Sequence, residues 1–190
     1  MYIAVDSGIR TADALGVVPQ ICLGDFDSFP EADLPTGVII LRHPAKKDST
    51  DLQLAVKYAL DEGCGNITII GGLGGRLDHT LVNLSLLRVI ERNGVHAIIT
   101  DGFNEIFYLC GKVSIKKLYK YVSIIPLSET LSGVSMRGFV YPLEDTEVSR
   151  DNIYTSSNEI SEDAEFGEIS IGSGEALICL CDDAKGFGIL

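Results

Sequence analysis

Leu23-Gly24-Asp25-Phe26-Asp27-Ser28 is the stretch around which the first half of this chain is organised. The run before it, residues 19–23, is short and strand-like, and Gly24 ends that strand. If the backbone stays extended beyond the glycine, Asp25 and Asp27 project from the same face. Two neighbouring carboxylates repel each other unless a cation screens them, and hard carboxylate oxygens suit Mg²⁺. A plain turn after a strand is an equal alternative, because Gly, Asp and Ser are common in turns.

On either side of this stretch, strand-like runs alternate with helical patterns, which is typical of an α/β fold. Residues 38–41 form a continuous apolar run rich in β-branched residues, which predicts a strand covered on both faces. Further strand-like runs cover residues 2–5, 66–70 and 95–100.

Three helices are predicted between these strands. The first covers residues 9–15, with Ser7 as a possible N-cap. Thr50 followed by Gln53 matches a capping box, so a second helix begins there. The third follows Asp78 as its N-cap, and because it is apolar on most sides we expect it to be largely buried.

Beyond residue 100 the helical patterns stop and short strand-like runs follow one another, separated by turns. They cover residues 106–109, 113–115, 121–125, 134–140, 153–156, 168–171 and 176–180. This spacing is typical of an antiparallel β-sandwich. We therefore predict an α/β domain with a mostly parallel sheet over residues 1–100 and an all-β antiparallel sandwich over residues 105–190.

The composition limits the classes of function. The chain has 190 residues and a formal net charge of −12, which argues against a protein that binds nucleic acid through its phosphates. No apolar run approaches the roughly 18 residues of a membrane span, and no signal-peptide pattern opens the chain, so we expect no membrane partner. The five cysteines are odd in number and mostly embedded in apolar runs. We expect them to be buried thiols in a reducing cytoplasm.

Polar clusters in the first half are expected to meet at one edge of the sheet, because ligands of open α/β sheets bind outside the carboxyl ends of the strands. Residues 71–75 contain four glycines, so their backbone can approach a phosphate closely. The acidic members are Asp25, Asp27, Asp51 and Asp78, and the cationic members are Lys46, Lys47 and Arg76. Metal-binding carboxylates, cations and a glycine loop are the parts that phosphoryl-type transfer needs.

Each feature also has a purely structural interpretation, which the residues alone leave open. Asp51, in the first turn of a helix, complements the helix dipole. Asp78 is a plain N-cap, and His79 is a surface or packing histidine. The glycine loop is a tight turn, since it matches neither a P-loop nor the dinucleotide fingerprint.

Taken together and in order, four motifs resemble the thiamine pyrophosphokinase family. They are Asp6-Ser7-Gly8, Gly24-Asp25-Phe26-Asp27-Ser28, Lys47-Asp48-Ser49-Thr50-Asp51, and Gly71-Gly72-Leu73-Gly74-Gly75-Arg76-Leu77-Asp78-His79 with Asn83. The resemblance covers nearly the whole chain, because the family also has an α/β catalytic domain followed by a β-sandwich. It implies transfer of the terminal pyrophosphoryl group of ATP to the hydroxyl of thiamine. It also implies a Mg²⁺-dependent homodimer with thiamine bound where the protomers meet.

The resemblance further implies roles for individual residues. The metal would be held by the catalytic carboxylates Asp25, Asp27 and Asp51. Asp78 would orient or deprotonate the attacking hydroxyl, which makes it both a catalytic and a substrate-binding residue. The contacts to the nucleotide and its phosphates would come from Asp6, Lys47, Thr50, Gly74 and Arg76.

In the second half, Ser157 and Asn158 belong to a segment that resembles the family's Ser-Asn segment near the thiamine pyrimidine. Tyr141 looks like the position where an aromatic ring stacks on the substrate. The structural alternatives are a polar turn and a tyrosine at the rim of the sheet.

The chain departs from the family pattern at its start. Family members usually carry another strand and helix before the segment that matches residues 2–8. We therefore expect either a sheet that lacks one strand or a start inside a longer chain. An unpaired strand edge would invite pairing with another chain.

Two rival functions fit part of the pattern. A metal-dependent glycosyltransferase could use Asp25 and Asp27 to hold a nucleotide-sugar diphosphate, but it leaves residues 47–51 and 71–79 without a task. A non-catalytic regulator that binds thiamine or a nucleotide would need the same pockets without turnover.

Overall fold

The computed structural model describes residues 1–25, 34–42 and 48–183. Within these ranges the chain has a mixed α/β fold with three sheets and three helices. The chain divides into two compact units, residues 1–96 and residues 97–190.

The first unit contains a short parallel sheet. Its elements are β1 (Ile3–Val5), α1 (Gly8–Ala14), β2 (Ile21–Gly24), β3 (Ile39–Arg42), α2 (Asp51–Asp61), β4 (Asn66–Ile70) and α3 (Leu77–Arg92), and β5 (His96–Thr100) begins at its end. β1, β2 and β3 lie side by side in that order and run parallel, with Val5 opposite Leu23 and Leu23 opposite Leu41. β1 and β3 are thus the two edge strands of this sheet.

The predicted burial of residues 38–41 is wrong. The strand itself forms, as β3, but Ile39 is 55% exposed and Ile40 is 36% exposed. The cause is the position of β3 at an edge of the sheet, where apolar side chains lack the cover that a central strand receives.

Helices α1 and α2 form as their local sequence predicts. Ser7 stands at the N-cap position of α1, although its side chain makes no capping hydrogen bond, and Ile9 packs with Ala4 and Cys22 in a small buried cluster. The capping box of α2 is confirmed: Thr50 caps the helix and Gln53 returns the bond to the backbone of Thr50.

Helix α3 begins earlier and lies more in the open than predicted. Arg76 is its N-cap residue, with an extended backbone, and Asp78 lies in the first helical turn, so the prediction of Asp78 as the N-cap is wrong. The carboxylate of Asp78 bonds instead to the Arg76 guanidinium and to the His79 amide. The helix buries only one stripe, formed by Leu86, Leu87 and Ile90. Most of its other apolar residues are exposed, among them Leu77, Leu81 and Val89.

The second unit is built from antiparallel strands. They are β6 (Asn104–Leu109), β7 (Lys112–Lys116), β8 (Tyr121–Pro126), β9 (Thr130–Arg137), β10 (Leu143–Ser149), β11 (Phe166–Ser170) and β12 (Ala176–Cys181). β5, β6, β12 and β8 are neighbours in one sheet, and β10, β9, β11 and β7 are neighbours in another. One buried cluster draws side chains from both sheets, including Ile124 and Ile178 from one and Val134, Met136 and Ile169 from the other.

The strands differ from the predicted ones at two places. Residues 153–156 form no strand; Thr155 is joined to β8 by single bonds, its hydroxyl donating to the Ile124 carbonyl oxygen at 2.7 Å and its carbonyl oxygen accepting from the Ile124 amide at 2.9 Å. β10 was not predicted, because its residues are mostly polar; it is an edge strand whose side chains are largely solvated.

The expectation that all five cysteines are buried is wrong. Cys22 is buried, while Cys110 is exposed between β6 and β7. Burial raises the pKa of the Cys179 thiol to about 12 and also raises the pKa of Cys22. In the described ranges, every helix is too short or too polar to cross a bilayer.

Candidate functional site

A groove of about 580 Å³ in the first unit is lined by two of the predicted nucleotide-site residues and by one predicted metal ligand. Strand β1, strand β4 and the start of α2 supply its walls. Three predicted site residues line it together, namely Asp6, Thr50 and Asp51. His79 and Asn83 reach it from α3. The groove therefore has acidic side chains on one wall and an imidazole and a carboxamide on another.

Asp6 is placed by an unusual local backbone. Its φ is 47°, in the left-handed region, and its amide donates to the Leu23 carbonyl oxygen at 2.9 Å. The space that a side chain at Gly24 would need is occupied by the Asp6 carboxylate. Gly24 is thus required for this close approach, beyond ending the strand. Because β1 and β2 run parallel in register, Asp6 and Asp25 follow neighbouring strand ends.

The start of α2 places Thr50 and Asp51 beside β1. The Thr50 hydroxyl accepts from the Gln53 amide at 3.2 Å, and the Gln53 side chain accepts from the Thr50 amide at 2.7 Å. The hydroxyl proton of Thr50 is not used in this box, so it can be donated to a phosphate oxygen. Asp51 sits in the first turn of the helix, where a carboxylate also complements the helix dipole.

The predicted metal ligands are only partly described. Asp25 and Asp51 are described, whereas Asp27 lies outside the described residues, as do Lys46 and Lys47. Among residues 1–25, 34–42 and 48–183, no three His, Cys, Asp or Glu side chains stand close enough to hold a metal ion. The donors available at these strand and helix ends are carboxylate oxygens, and this donor chemistry fits Mg²⁺ rather than a soft metal.

The glycine loop over residues 71–75 is held against α3. Asn83 donates its side-chain amide to the Gly72 carbonyl oxygen at 2.9 Å, and the Thr80 hydroxyl donates to the Gly74 carbonyl oxygen at 3.3 Å. Gly74 has a φ of 88°, which favours glycine over other residues. Asn83 thus supports the loop from the helix, a contact that its sequence position alone does not predict.

Arg76 and Asp78 form a bidentate ion pair. Arg76 Nε lies 3.1 Å from Asp78 Oδ1, and Arg76 Nη2 lies 2.6 Å from Asp78 Oδ2. The Arg76 hydrogen bond lowers the pKa of Asp78 to about 2, and the His79 amide adds to this effect. Both side chains are exposed, and the described lining of the groove includes neither of them. In this pairing Asp78 is a weak base and Arg76 is already bound to an anion.

The second unit brings Tyr141, Ser157 and Asn158 together. The side chain of Asn158 makes two hydrogen bonds to the backbone of Tyr141, a residue that is 70% exposed. Ser157 is exposed and has a φ of 56°, and its amide donates to the Ser123 hydroxyl at 2.9 Å. Ser123 and Thr155 tie this segment to β8; Thr155 opens the predicted segment of residues 155–159, whereas the Ser123 contact was not predicted.

Two family models match the chain in sequence order. Residues 1–99 match the model described as thiamin pyrophosphokinase, catalytic domain, and residues 112–174 match the one described as thiamin pyrophosphokinase, vitamin B1 binding domain. Thiamine pyrophosphokinase of Bacillus subtilis is 33% identical over 167 residues, which are 84% of this chain and 78% of that protein. Thiamin pyrophosphokinase 1 of Caenorhabditis elegans is 30% identical over 75% of this chain and 63% of its own length.

Solved structures show the same similarity. The crystal structure of the Bacillus subtilis thiamine pyrophosphokinase superposes with a TM-score of 0.86 at 31% identity, covering 95% of this chain and 87% of the other. Thiamin pyrophosphokinase from Candida albicans superposes with a TM-score of 0.76 at 17% identity, covering 94% of this chain and 81% of the other, which is a similarity of fold alone.

Proposed function

The chain belongs to the thiamine pyrophosphokinase family, and from this premise we propose which residues bind ATP, the metal ion and thiamine and which take part in the reaction. The protein transfers the pyrophosphoryl group of ATP to the hydroxyl of thiamine, giving thiamine diphosphate and AMP. The hydroxyl oxygen bonds to the β-phosphorus, and the bond from that phosphorus to the oxygen bridging to the α-phosphorus breaks. The hydroxyl proton passes to a base, and AMP leaves with the bridging oxygen.

The first unit binds ATP. The groove that contains Asp6, Thr50 and Asp51 supports this assignment, because a hydroxyl donor and a helix start are suited to phosphate oxygens. Gly74 offers close backbone approach, and Lys47 and Arg76 neutralise phosphate charge. Asp6 contacts the nucleotide from the β1 side of the groove.

Asp25, Asp27 and Asp51 would hold Mg²⁺. Their carboxylate oxygens are the ligands that this ion prefers, and two of the three stand at the carboxyl end of β2 and the start of α2. When bound, the ion would neutralise the triphosphate and stabilise the charge that develops during transfer.

Asp78 orients the thiamine hydroxyl and accepts its proton, and the Arg76 ion pair controls when it can do so. While the pair is closed, the pKa of Asp78 is about 2, which leaves the carboxylate a poor proton acceptor. A triphosphate that engages Arg76 competes for the same guanidinium hydrogens. Binding of ATP would therefore release Asp78 and raise its pKa towards the ordinary range.

The second unit binds thiamine through a subsite made of Tyr141, Ser157 and Asn158. The described contacts among these residues support the subsite, and so does the match of residues 112–174 to the vitamin B1 binding domain. We propose the domain arrangement as an α/β domain over residues 1–100 and an antiparallel β-sandwich over residues 105–190. The parallel β1–β3 sheet and the core shared by two antiparallel sheets support it. We also propose a homodimer in the cytoplasm.

The match of both family models in chain order carries this conclusion. Purified protein is incubated with ATP, thiamine and MgCl₂, and the products are separated by anion-exchange chromatography. We expect AMP and thiamine diphosphate in equal amounts, and none of either when thiamine is left out or EDTA is added. Binding of thiamine without AMP release would favour the regulator, and ADP as the product would rule out pyrophosphoryl transfer. Light scattering of the same sample tests the homodimer.

A further inference from the structure

We propose that Asn158 is a positioning residue of the thiamine subsite: it fixes the backbone of Tyr141 from the buried side and does not itself contact the substrate. The inference rests on the function proposed above and deepens it. It assigns recognition to the exposed ring of Tyr141 and to Ser157, and it assigns their placement to Asn158.

The hydrogen-bonding capacity of the Asn158 side chain is fully used within the protein. Its carbonyl oxygen accepts from the Tyr141 amide at 3.1 Å and from the Glu159 amide at 2.9 Å. Its nitrogen donates to the Tyr141 carbonyl oxygen at 2.8 Å and to the Met136 sulfur at 3.7 Å. A carboxamide has two donor hydrogens and two acceptor lone pairs, so these four contacts exhaust it. With only 5% of the residue exposed, Asn158 has no polar group left to offer a ligand.

The backbone of Asn158 is anchored as firmly as its side chain. Its amide donates to the Val122 carbonyl oxygen at 3.0 Å, and the Val122 amide donates to the Asn158 carbonyl oxygen at 2.7 Å. Val122 belongs to β8, a strand hydrogen-bonded to β12 within its sheet. Asn158 thus fixes Tyr141, which lies in the connection between β9 and β10, relative to strand β8.

Tyr141 depends on this anchor because its own side chain is mostly in solvent. Both polar groups of its backbone bond to one carboxamide, and the preceding amide, that of Val140, donates to the Glu159 carbonyl oxygen at 2.8 Å. Once the backbone is fixed, only two side-chain torsions remain to place the ring. Because the backbone is already fixed, Tyr141 loses less conformational entropy when a ligand stacks on its ring.

The chemistry of the position selects asparagine. A carboxylate could accept the Tyr141 amide but could not donate to the Tyr141 carbonyl oxygen, and burying it would set an anion beside that oxygen. Asn158→Asp is therefore the informative change, because it keeps the shape and removes the donor. Asn152→Asp is the matched control, since Asn152 is exposed in the same unit.

The first measurement is kinetic. We expect Asn158→Asp to raise the KM for thiamine about tenfold, equivalent to about 1.4 kcal/mol, while kcat and the KM for ATP change less than about threefold. Because the effect passes through Tyr141, Asn158→Asp should change the KM little further in a Tyr141→Ala background. Effects that multiply in the double variant would mean that Asn158 contacts thiamine directly and would overturn the proposal.

The second measurement needs neither substrate nor activity. Hydrogen exchange followed by mass spectrometry should show faster exchange of the Tyr141 amide in Asn158→Ala, which removes the acceptor of that amide, and unchanged exchange in Asn152→Ala. If the wild-type protein fails to make thiamine diphosphate, the proposed function is wrong. The exchange measurement still tests whether Asn158 fixes the backbone of Tyr141. Unchanged exchange with a raised KM would refute the positioning role. If Asn158→Asp shows no cooperative melting, Asn158→Ser is used with the same expectations.

Discussion

The Arg76–Asp78 pair and the Asn158 carboxamide hold candidate site residues by opposite means. The first is an ion pair between two exposed side chains on one loop and helix start, so water, salt or a phosphate can replace either partner. The second is a neutral amide inside the second unit, where replacing a bond means burying an unsatisfied polar group. An exposed pair suits a site whose charges must exchange partners, and a buried amide suits a site whose shape must persist.

The largest effect is expected when a charge is removed from the proposed catalytic site of the first unit, which also contains the exposed Arg76–Asp78 pair. Asp25→Asn should lower the rate of AMP formation by about a thousandfold, because metal-held charge stabilises the transition state by several kcal/mol. The melting temperature should stay close to that of the wild type. Asp13→Asn, which changes an exposed carboxylate in α1, is the matched control and should keep full activity. Near-normal turnover in Asp25→Asn would remove Asp25 from the metal site.

The second largest effect is expected when the buried carboxamide of Asn158 is removed. Asn158→Ala leaves the Tyr141 and Glu159 amides without their acceptor, so the free energy of unfolding should fall by about 1–3 kcal/mol. Urea denaturation followed by circular dichroism measures this change. Asn152→Ala should cost less than about 0.5 kcal/mol, because Asn152 is exposed. If the free energy of unfolding fell equally in the two variants, the buried amide would stabilise the fold no more than the exposed one.

The third effect tests how easily the ion pair opens. In Arg76→Ala the pKa of Asp78 should rise from about 2 towards the ordinary 3.9 or so of an aspartate. Because the folded-state pKa is depressed, the stabilisation from this carboxylate is present above its unfolded pKa and is lost as the pH falls towards about 2. Carboxyl-carbon NMR titration measures the shift. Arg137→Ala breaks an exposed Arg137–Glu144 pair and should leave Asp78 unchanged. An Asp78 titration identical in both variants would contradict the pairing.

The smallest effect concerns backbone strain beside the buried amide. Ser157 has a φ of 56°, so Ser157→Gly should stabilise the fold by about 1 kcal/mol. Thermal melting should show a rise of about 2–4 °C. Ser156→Gly is the control, since Ser156 lies outside the left-handed region and should gain nothing. We expect Ser157→Gly to bind thiamine more weakly, because the proposed hydroxyl contact is lost. A more stable variant with unchanged thiamine affinity would exclude Ser157 from the subsite.

Local signals in the sequence predicted the parts of the fold that local contacts decide. The capping box at Thr50 was correct because its two bonds join residues three apart. Asp78 was wrongly predicted as an N-cap, because Arg76 competes for its carboxylate and no helix-capping rule includes that competitor. The exposure of Ile39 depends on sheet order, which a strand's own residues do not reveal.

The candidate site shows the same limit. Gly24 was recognised as the end of a strand, but its need for space depends on where the Asp6 carboxylate lies. Asn158 was predicted as a substrate-binding residue, but its bonds to Tyr141 and Met136 could not be predicted, because they join residues that tertiary structure brings together. A polar residue type indicates that a hydrogen bond exists, and only the fold identifies the partner.

The exposure of Cys110 makes this chain convenient to label. All five cysteines lie in described parts of the chain, and Cys110 alone among them is exposed, on the short connection between β6 and β7. The thiols of Cys22, Cys179 and Cys181 have raised pKa values through burial, so they form the reactive thiolate less readily. A brief maleimide reaction near neutral pH should therefore label Cys110 and spare these three thiols, with the half-buried Cys64 as the second thiol within reach of the dye.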